Sequence, residues 1–443
     1  MQKFIQFILY IMEDYTIILS QMSFISILHI IVIALLVLPN TMYFASVNIL
    51  SEGLSQHFNS SNLHSLSYTL ISAPSIISAI TFSLILDAFK FNIIFPIIQS
   101  ILILGTAFNI VSIKVTNQYL FLFGRFLYGV CGETTLAAQS QLIDQFLPQK
   151  LHSTAFAVCF CGYMAGEALA GLILPKLDLI NGYIVILSFQ TLSLALILIY
   201  SIKSKTIEKA NFKILLKDLL AKLTKIPAVY FILACFRILF TASKSTYDSR
   251  SIIALKTIYN IPLEISQQAQ IVQTSLSAVV FLISGISGFF KFGPEIFVIL
   301  GALFCCFGYI FCYFSIPNQF LISTLIGFGF GMVAANCSAL LVKRAGGGLA
   351  SSALGVVFSL QYLLSTGIIP LSRELSKIDE KDNMIMYLIL VILGFIVWSG
   401  EMIIYKLQKR IPPTNLVTEG DGIEVSAVDQ GLIYENHDTV NWI

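Results

Sequence analysis

The chain has 443 residues, 57% of them apolar and only 11% charged, with a net charge of +2 and a mean hydropathy of +0.85. A soluble domain carries about a quarter charged residues, so this chain holds more apolar surface than one water-facing fold can hide, and lipid must take the remainder. The balanced charge gives no basis for nucleic-acid binding. The eight cysteines all lie in apolar runs without paired metal-ligand spacing, and they read as small packed residues.

A membrane span needs about 20 mostly apolar residues. Taken in chain order, the sequence predicts an N-terminal segment over 1–23 with an apolar run but no small-residue cleavage site. The first span therefore serves as the insertion signal. Six spans follow at about 24–46, 67–89, 92–113, 118–140, 152–174 and 180–202, forming a bundle over 24–202. A basic linker covers 203–226. Within 201–225 seven lysines face away from Phe212, Leu215, Leu216, Leu219, Leu220 and Leu223, the pattern of an amphipathic helix lying on an anionic leaflet. Six more spans follow at 227–249, 264–290, 294–314, 319–342, 349–371 and 384–406, a second bundle over 227–406. The fold class is thus all-α: twelve transmembrane helices in two pseudo-symmetric six-helix bundles. An acidic tail over 407–443 carries Glu419, Asp421, Glu424 and Asp429, and Asp429 to Ile433 loosely matches an acidic di-leucine sorting signal.

Lysine and arginine placement sets the orientation. With both termini cytoplasmic, sixteen basic residues fall on the cytoplasmic side and seven on the other. The loop over 51–65 then faces lumen or exterior and offers Asn59-Ser60-Ser61 for glycosylation. Asn336-Cys337-Ser338 sits inside a span and should be silent.

Charge at membrane depth is costly and marks a polar interior or a solute pathway. The fourth span carries Arg125, Gly129 and Glu133 at i, i+4, i+8, on one helix face. The seventh carries Arg237, Thr241 and Lys244 as one polar stripe, with Asp248 within reach of Lys244. The first holds Asn40, Tyr43 and Asn48; the tenth holds Asn336; Glu167 in the fifth and Glu401 late in the twelfth stand apart. Gly162, Gly166 and Ala170 form a small-residue face suited to close helix packing. Arg125, Glu133, Arg237, Asn40, Tyr43 and Asn336 are expected to line one central polar space.

Six plus six spans about a basic linker resembles the major facilitator superfamily, in which each half holds two inverted three-helix repeats and spans 1, 4, 7 and 10 line the cavity. Within it, Tyr68 to Ser75, the run FGRFLYGVCGETTLAAQ over Phe123 to Gln139, and Leu354 to Gln361 resemble the lysosomal dipeptide transporter branch. The resemblance implies a uniporter that exports dipeptides or amino-acid-like zwitterions from lysosome to cytosol by alternating access. It adds Gln361 to the substrate-binding candidates. It also implies no cofactor and a glycosylated accessory membrane protein as partner, besides the small-molecule substrate and the lipid bilayer. Glu133 would take an amine, and Arg237 or Lys244 a carboxylate. Two departures stand out. Asp87, the expected conformational-switch residue between spans 2 and 3, lacks the flanking glycines of the superfamily motif. Met164 occupies the neighbourhood where the branch carries an arginine.

The alternative within transport is a proton-coupled carrier of organic anions, sugars or another metabolite, with Glu133 or Glu167 as the proton site. A transport-inactive scaffold or sensor on the same fold is a further alternative. An intramembrane enzyme is disfavoured, because no HExxH, GxSxG or paired-aspartate motif occurs and histidine is scarce.

Overall fold

The computed structural model of the protein describes residues 24–60, 62–88, 91–132, 134–147, 151–203, 217, 221, 224, 226–289, 293–345 and 349–410. Most of the linker, the segment 1–23 and the tail from 411 therefore lie outside the described residues, as do the sorting-signal reading and Glu133. The chain divides into two units, Met1–Met402 and Ile403–Ile443, of which the second is described only over residues 403–410.

The described helices are α1 (Phe24–Ile49), α2 (Ser51–His57), α3 (Leu63–Ala88), α4 (Phe91–Lys114), α5 (Gln118–Cys131), α6 (Thr134–Phe146), α7 (His152–Ile173) and α8 (Leu179–Lys203), then α9 (Ala228–Tyr259), α10 (Leu263–Ser284), α11 (Gly293–Tyr313), α12 (Gln319–Ala345), α13 (Ala350–Leu375) and α14 (Glu380–Arg410). No strand occurs among the described residues. Eleven helices are long and apolar enough to cross a bilayer.

Three boundaries differ from the hydropathy pattern, two of them for a physical reason. The fourth expected span, 118–140, is described as α5 and α6, of 14 and 13 residues. Between them Gly132 keeps helical dihedrals (φ −58°, ψ −51°) and residue 133 lies outside the described residues; a Cβ on Gly132 would sit 2.5 Å from the Tyr128 ring. The seventh span was expected over 227–249, but α9 runs ten residues further. Its late charges do not end it, because Lys244 pairs with Asp248 and Arg250 pairs with Glu380 of α14 at 2.6 Å. It stops at Asn260, which takes the left-handed conformation with φ 50°. The twelfth, expected over 384–406, starts earlier at Glu380 for the same reason, since that carboxylate is held by Arg250 and Asn383.

In lipid, helix association rests on close packing and interhelical hydrogen bonds rather than on a hydrophobic drive. The same devices recur in both halves. Gly105 of α4 meets Gly124 of α5, and Gly301 of α11 meets Gly329 of α12; a Cβ on Gly105 would lie 2.9 Å from the Gly124 carbonyl, and one on Gly301 2.6 Å from the Gly329 carbonyl. Ser75 of α3 donates to the Gly129 carbonyl of α5 at 2.7 Å, and Ser277 of α10 donates to the Gly327 carbonyl of α12 at 2.9 Å. These are spans 2, 3 and 4 of one half and their counterparts 8, 9 and 10 in the other. The small-residue face of α7 packs on α1: a Cβ on Gly162 would lie 2.6 Å from the Ala34 carbonyl, and one on Gly166 would strike Thr41 and the Leu38 carbonyl.

The halves meet chiefly where α3 packs along α13 and where α7 packs along α10. All eight cysteines are free.

Candidate functional site

Between the halves lies a cavity of about 390 Å³, within the range of small-molecule pockets. From the first half it is walled by Phe44 and Asn48 of α1, Tyr68 and Ser72 of α3, and Tyr163, Met164 and Glu167 of α7. From the second half come Arg237, Thr241, Lys244, Ser245 and Asp248 of α9, Gln267, Gln270 and Glu264 of α10, Phe330 of α12, and Gln361, Tyr362 and Ser365 of α13. Aromatic and apolar walls therefore carry a few polar groups of both signs.

The α9 contribution is one stripe. Residues 237, 241, 244 or 245, and 248 recur at helical spacing and share a face. Arg237 is 2% exposed, and its guanidinium carbon lies 5.7 Å from the Phe160 ring centroid. Lys244 is buried to the same degree, ion-pairs with Asp248 one turn on, and places its ammonium 4.5 Å from the Phe330 ring centroid. The other Asp248 oxygen accepts a hydrogen bond of 2.7 Å from Gln273 of α10. Asp248 keeps 25% of its side chain exposed, toward the cavity it lines. Glu167 answers these groups from the first half.

Of the residues expected to share a central space, Arg237 alone among the described ones lines this cavity, joined by Lys244 and Gln361, which were named separately as substrate-binding candidates. Arg125, Asn40, Tyr43 and Asn336 are not among its lining residues; they are spent on packing between helices. Arg125 is fully buried, donates to the Tyr43 carbonyl at 2.8 Å and the Phe44 carbonyl at 3.1 Å, and stacks over the Tyr43 ring at 4.4 Å. Tyr43 donates its hydroxyl to Asn109. Asn40 belongs to a buried network, donating to Gln99 at 3.2 Å and accepting from Gln190 at 3.5 Å. Asn336 accepts from Ser287 and donates to the Met332 carbonyl. Apart from the Arg125 Nε, which has no partner among the described residues, these polar groups find the internal partners that membrane depth demands. Arg125 still touches the site indirectly, because the carbonyls it holds belong to the α1 turn that presents Phe44 to the cavity.

The cavity sits toward one end of the bundle. Along α3, Ser72 lines it while Asp87 lies fifteen residues on, about 22 Å at 1.5 Å per residue. At that far end the halves are joined. Asp87 accepts the backbone N–H of Ser352 at 2.6 Å and of Ser351 at 3.3 Å, capping the start of α13 across the interface. Ser351 also donates to the Ala137 carbonyl at 2.9 Å, and Ser359 to the Ile76 carbonyl. On the other seam Thr154 of α7 donates to the Gly285 carbonyl at 3.0 Å. The cavity is thus closed at the Asp87 end. At the opposite end its rim holds the exposed Glu264 and Gln268. Asn59 lies exposed in the turn after α2, with φ 49°.

Sequence reasoning passed over Tyr68, Tyr163, Ser365 and the glutamine-rich start of α10 as site residues. For α10 a signal existed: Gln267, Gln268, Gln270 and Gln273 gather in one span, costly in lipid unless they face a polar space. Among the described residues no cluster of His, Cys, Asp or Glu is arranged to hold a metal ion.

A search of curated proteins finds no match. Among solved structures, the human organic anion transporter MFSD10 (TETRAN) superposes with a TM-score of 0.67 at 14% identity, over 83% of this chain and 98% of that one. FucP, a major facilitator superfamily transporter in the outward conformation, superposes with a TM-score of 0.66 at 15% identity, over 84% of this chain and 98% of its own. These likenesses show the fold. The sequence model of the Major Facilitator Superfamily matches residues 31–370, most of the chain. With that match, two helical halves that repeat the same glycine and serine contacts, and a cavity closed at one end, the chain belongs to the Major Facilitator Superfamily.

Proposed function

We propose that this transporter carries a small zwitterionic solute, a dipeptide or amino-acid-like molecule, by alternating access. The observation that carries the reading is the charge arrangement of the cavity. Buried cations Arg237 and Lys244 stand on α9, and carboxylates stand on both sides, Asp248 on α9 and Glu167 on α7. A solute bearing both charges contacts both halves at once, which is what a rocking transporter needs in order to read its load. A solute lacking one charge forgoes its charged contact on one side of the cavity, at about 1.5–3 kcal/mol for a hydrogen bond to an ionised group, or roughly one to two decades in affinity. Glu133 remains the candidate amine partner from the sequence. Arg125 acts by holding α1, and Asp87 acts as the switch that secures the closed end. The branch resemblance supports uniport out of an endolysosomal lumen, with the cavity rim on the luminal side.

The test is a thermal-shift screen of the purified chain, followed by uptake in proteoliposomes. Ligands of the folded state raise its apparent stability by mass action. Free dipeptides should stabilise and be transported, while N-acetylated and C-amidated forms should do neither. A second reading, an organic anion, draws on the two buried cations of α9. Stabilisation by acetylated dipeptides and simple carboxylates equal to that by free dipeptides would establish it and refute the zwitterion.

A further inference from the structure

Helices α9 and α13 run parallel through the cavity wall. Tyr230 donates to the Ala353 carbonyl near their starts, and Ser245 meets Ser365 at 3.4 Å further on, so both chains advance in the same direction. One turn back from that serine contact, on both helices, stand Thr241 and Gln361. Both line the cavity, and they are 8% and 6% exposed. Among the described residues, the Thr241 hydroxyl and the Gln361 side-chain carbonyl have no hydrogen-bond partner. Buried polar atoms are rarely left so. A threonine in a helix usually satisfies its hydroxyl on the carbonyl one turn back, as Thr246 does on Ala242; Thr241 does not. Along α9 it lies between Arg237, four residues before it, and Lys244, three after.

We propose that Thr241 and Gln361 form a neutral subsite between the charged groups, and that it takes the secondary amide of the solute. A peptide unit offers one N–H donor and one carbonyl acceptor. The Gln361 carbonyl accepts the first, and the Thr241 hydroxyl donates to the second. Charges fix the two ends of the solute, and this pair reads its middle. The inference rests on the zwitterion reading above and narrows it to molecules with an internal amide. It also gives the two unpartnered atoms a common purpose that packing does not supply.

The experiment compares three probes on the purified full-length chain: alanyl-alanine, alanyl-lactate, in which an ester oxygen replaces the peptide N–H, and alanine. Wild-type protein should bind alanyl-alanine roughly tenfold more tightly than alanyl-lactate, the scale of one neutral hydrogen bond whose loss leaves a buried acceptor unpaired. Gln361→Met should erase that preference to within about twofold, since the acceptor is gone while the shape is kept. Thr241→Val should weaken amide and ester alike, because both retain the carbonyl it serves. A wild-type protein that binds amide and ester equally overturns the subsite, and this comparison needs no variant to fold. An undiminished preference in a folded Gln361→Met overturns it as well. If none of the three probes binds, the zwitterion reading fails and the subsite falls with it. If alanine and both longer probes bind alike, only the subsite fails.

Discussion

Replacing Asp87 by asparagine tests whether the closed end is held by charge. The carboxylate accepts two backbone N–H groups at the start of α13, one at 2.6 Å and one at 3.3 Å. A hydrogen bond to an ionised group contributes about 1.5–3 kcal/mol, and only the shorter one merits that figure. Placement at a helix N-terminus adds about 0.3–1 kcal/mol. Asparagine keeps the shape and one acceptor oxygen, but loses the charge and turns an amide toward a second donor. The net loss is therefore about 1.5–2 kcal/mol, a factor of roughly 10–30 in a two-state equilibrium. Ser351→Ala137 and Ser359→Ile76 contacts survive the change, so the protein should still fold. Spin-label pairs spanning α3 and α13 at each end would read the populations. At the Asp87 end distances should lengthen, and at the rim end they should shorten. Identical distributions in wild type and variant would refute the reasoning and leave the small-residue contacts as the true closure.

Three further outcomes follow from the same geometry. Arg125→Lys should lower stability by about 1.5–3 kcal/mol, because a lysine cannot fork to two carbonyls and stack on Tyr43; ligand affinity of the folded fraction, read by titration, should stay within about twofold since Arg125 does not line the cavity. Gly355→Val should mimic Asp87→Asn in the spin-label assay, because even a Cβ at this position would lie 2.7 Å from the Ala79 carbonyl and strike Ser83 across the α3–α13 seam. His64, tilted against Tyr68 with centroids 5.0 Å apart, is pushed down from 6.5 to about 4 by burial and then by the positive fields of Arg125 and Arg250. The unfolded chain therefore takes up this proton first on acidification, so stability should fall as pH drops from about 6.5 to about 4 and level off below. Thermal melts of His64→Gln should show a shallower loss over that window, and an unchanged slope would mean that the histidine does not carry the effect.

How much of this was legible in the sequence depends on what each residue answers to. Span positions answer to length and apolarity alone, and they were read to within a few residues wherever no charge intervened. Where charge did intervene, as at Lys244, Asp248 and Arg250, a hydropathy window ends the helix, whereas the fold continues it by pairing each charge. The site was harder. A polar residue in a membrane helix must find a partner, but the sequence does not say whether that partner is a solute or a neighbouring backbone. Arg125 and Arg237 look alike in the chain, each an arginine in mid-span. The first meets the carbonyls of Tyr43 and Phe44, which any helix could supply. The second belongs to a stripe that continues through Thr241, Lys244 and Asp248, and that stripe and Glu167 of the other half line one cavity. The discriminating property is therefore the length of the polar face. One charge can be buried against a single neighbouring turn, but three helical turns of polar side chains exceed what one packed helix can satisfy and require a cavity.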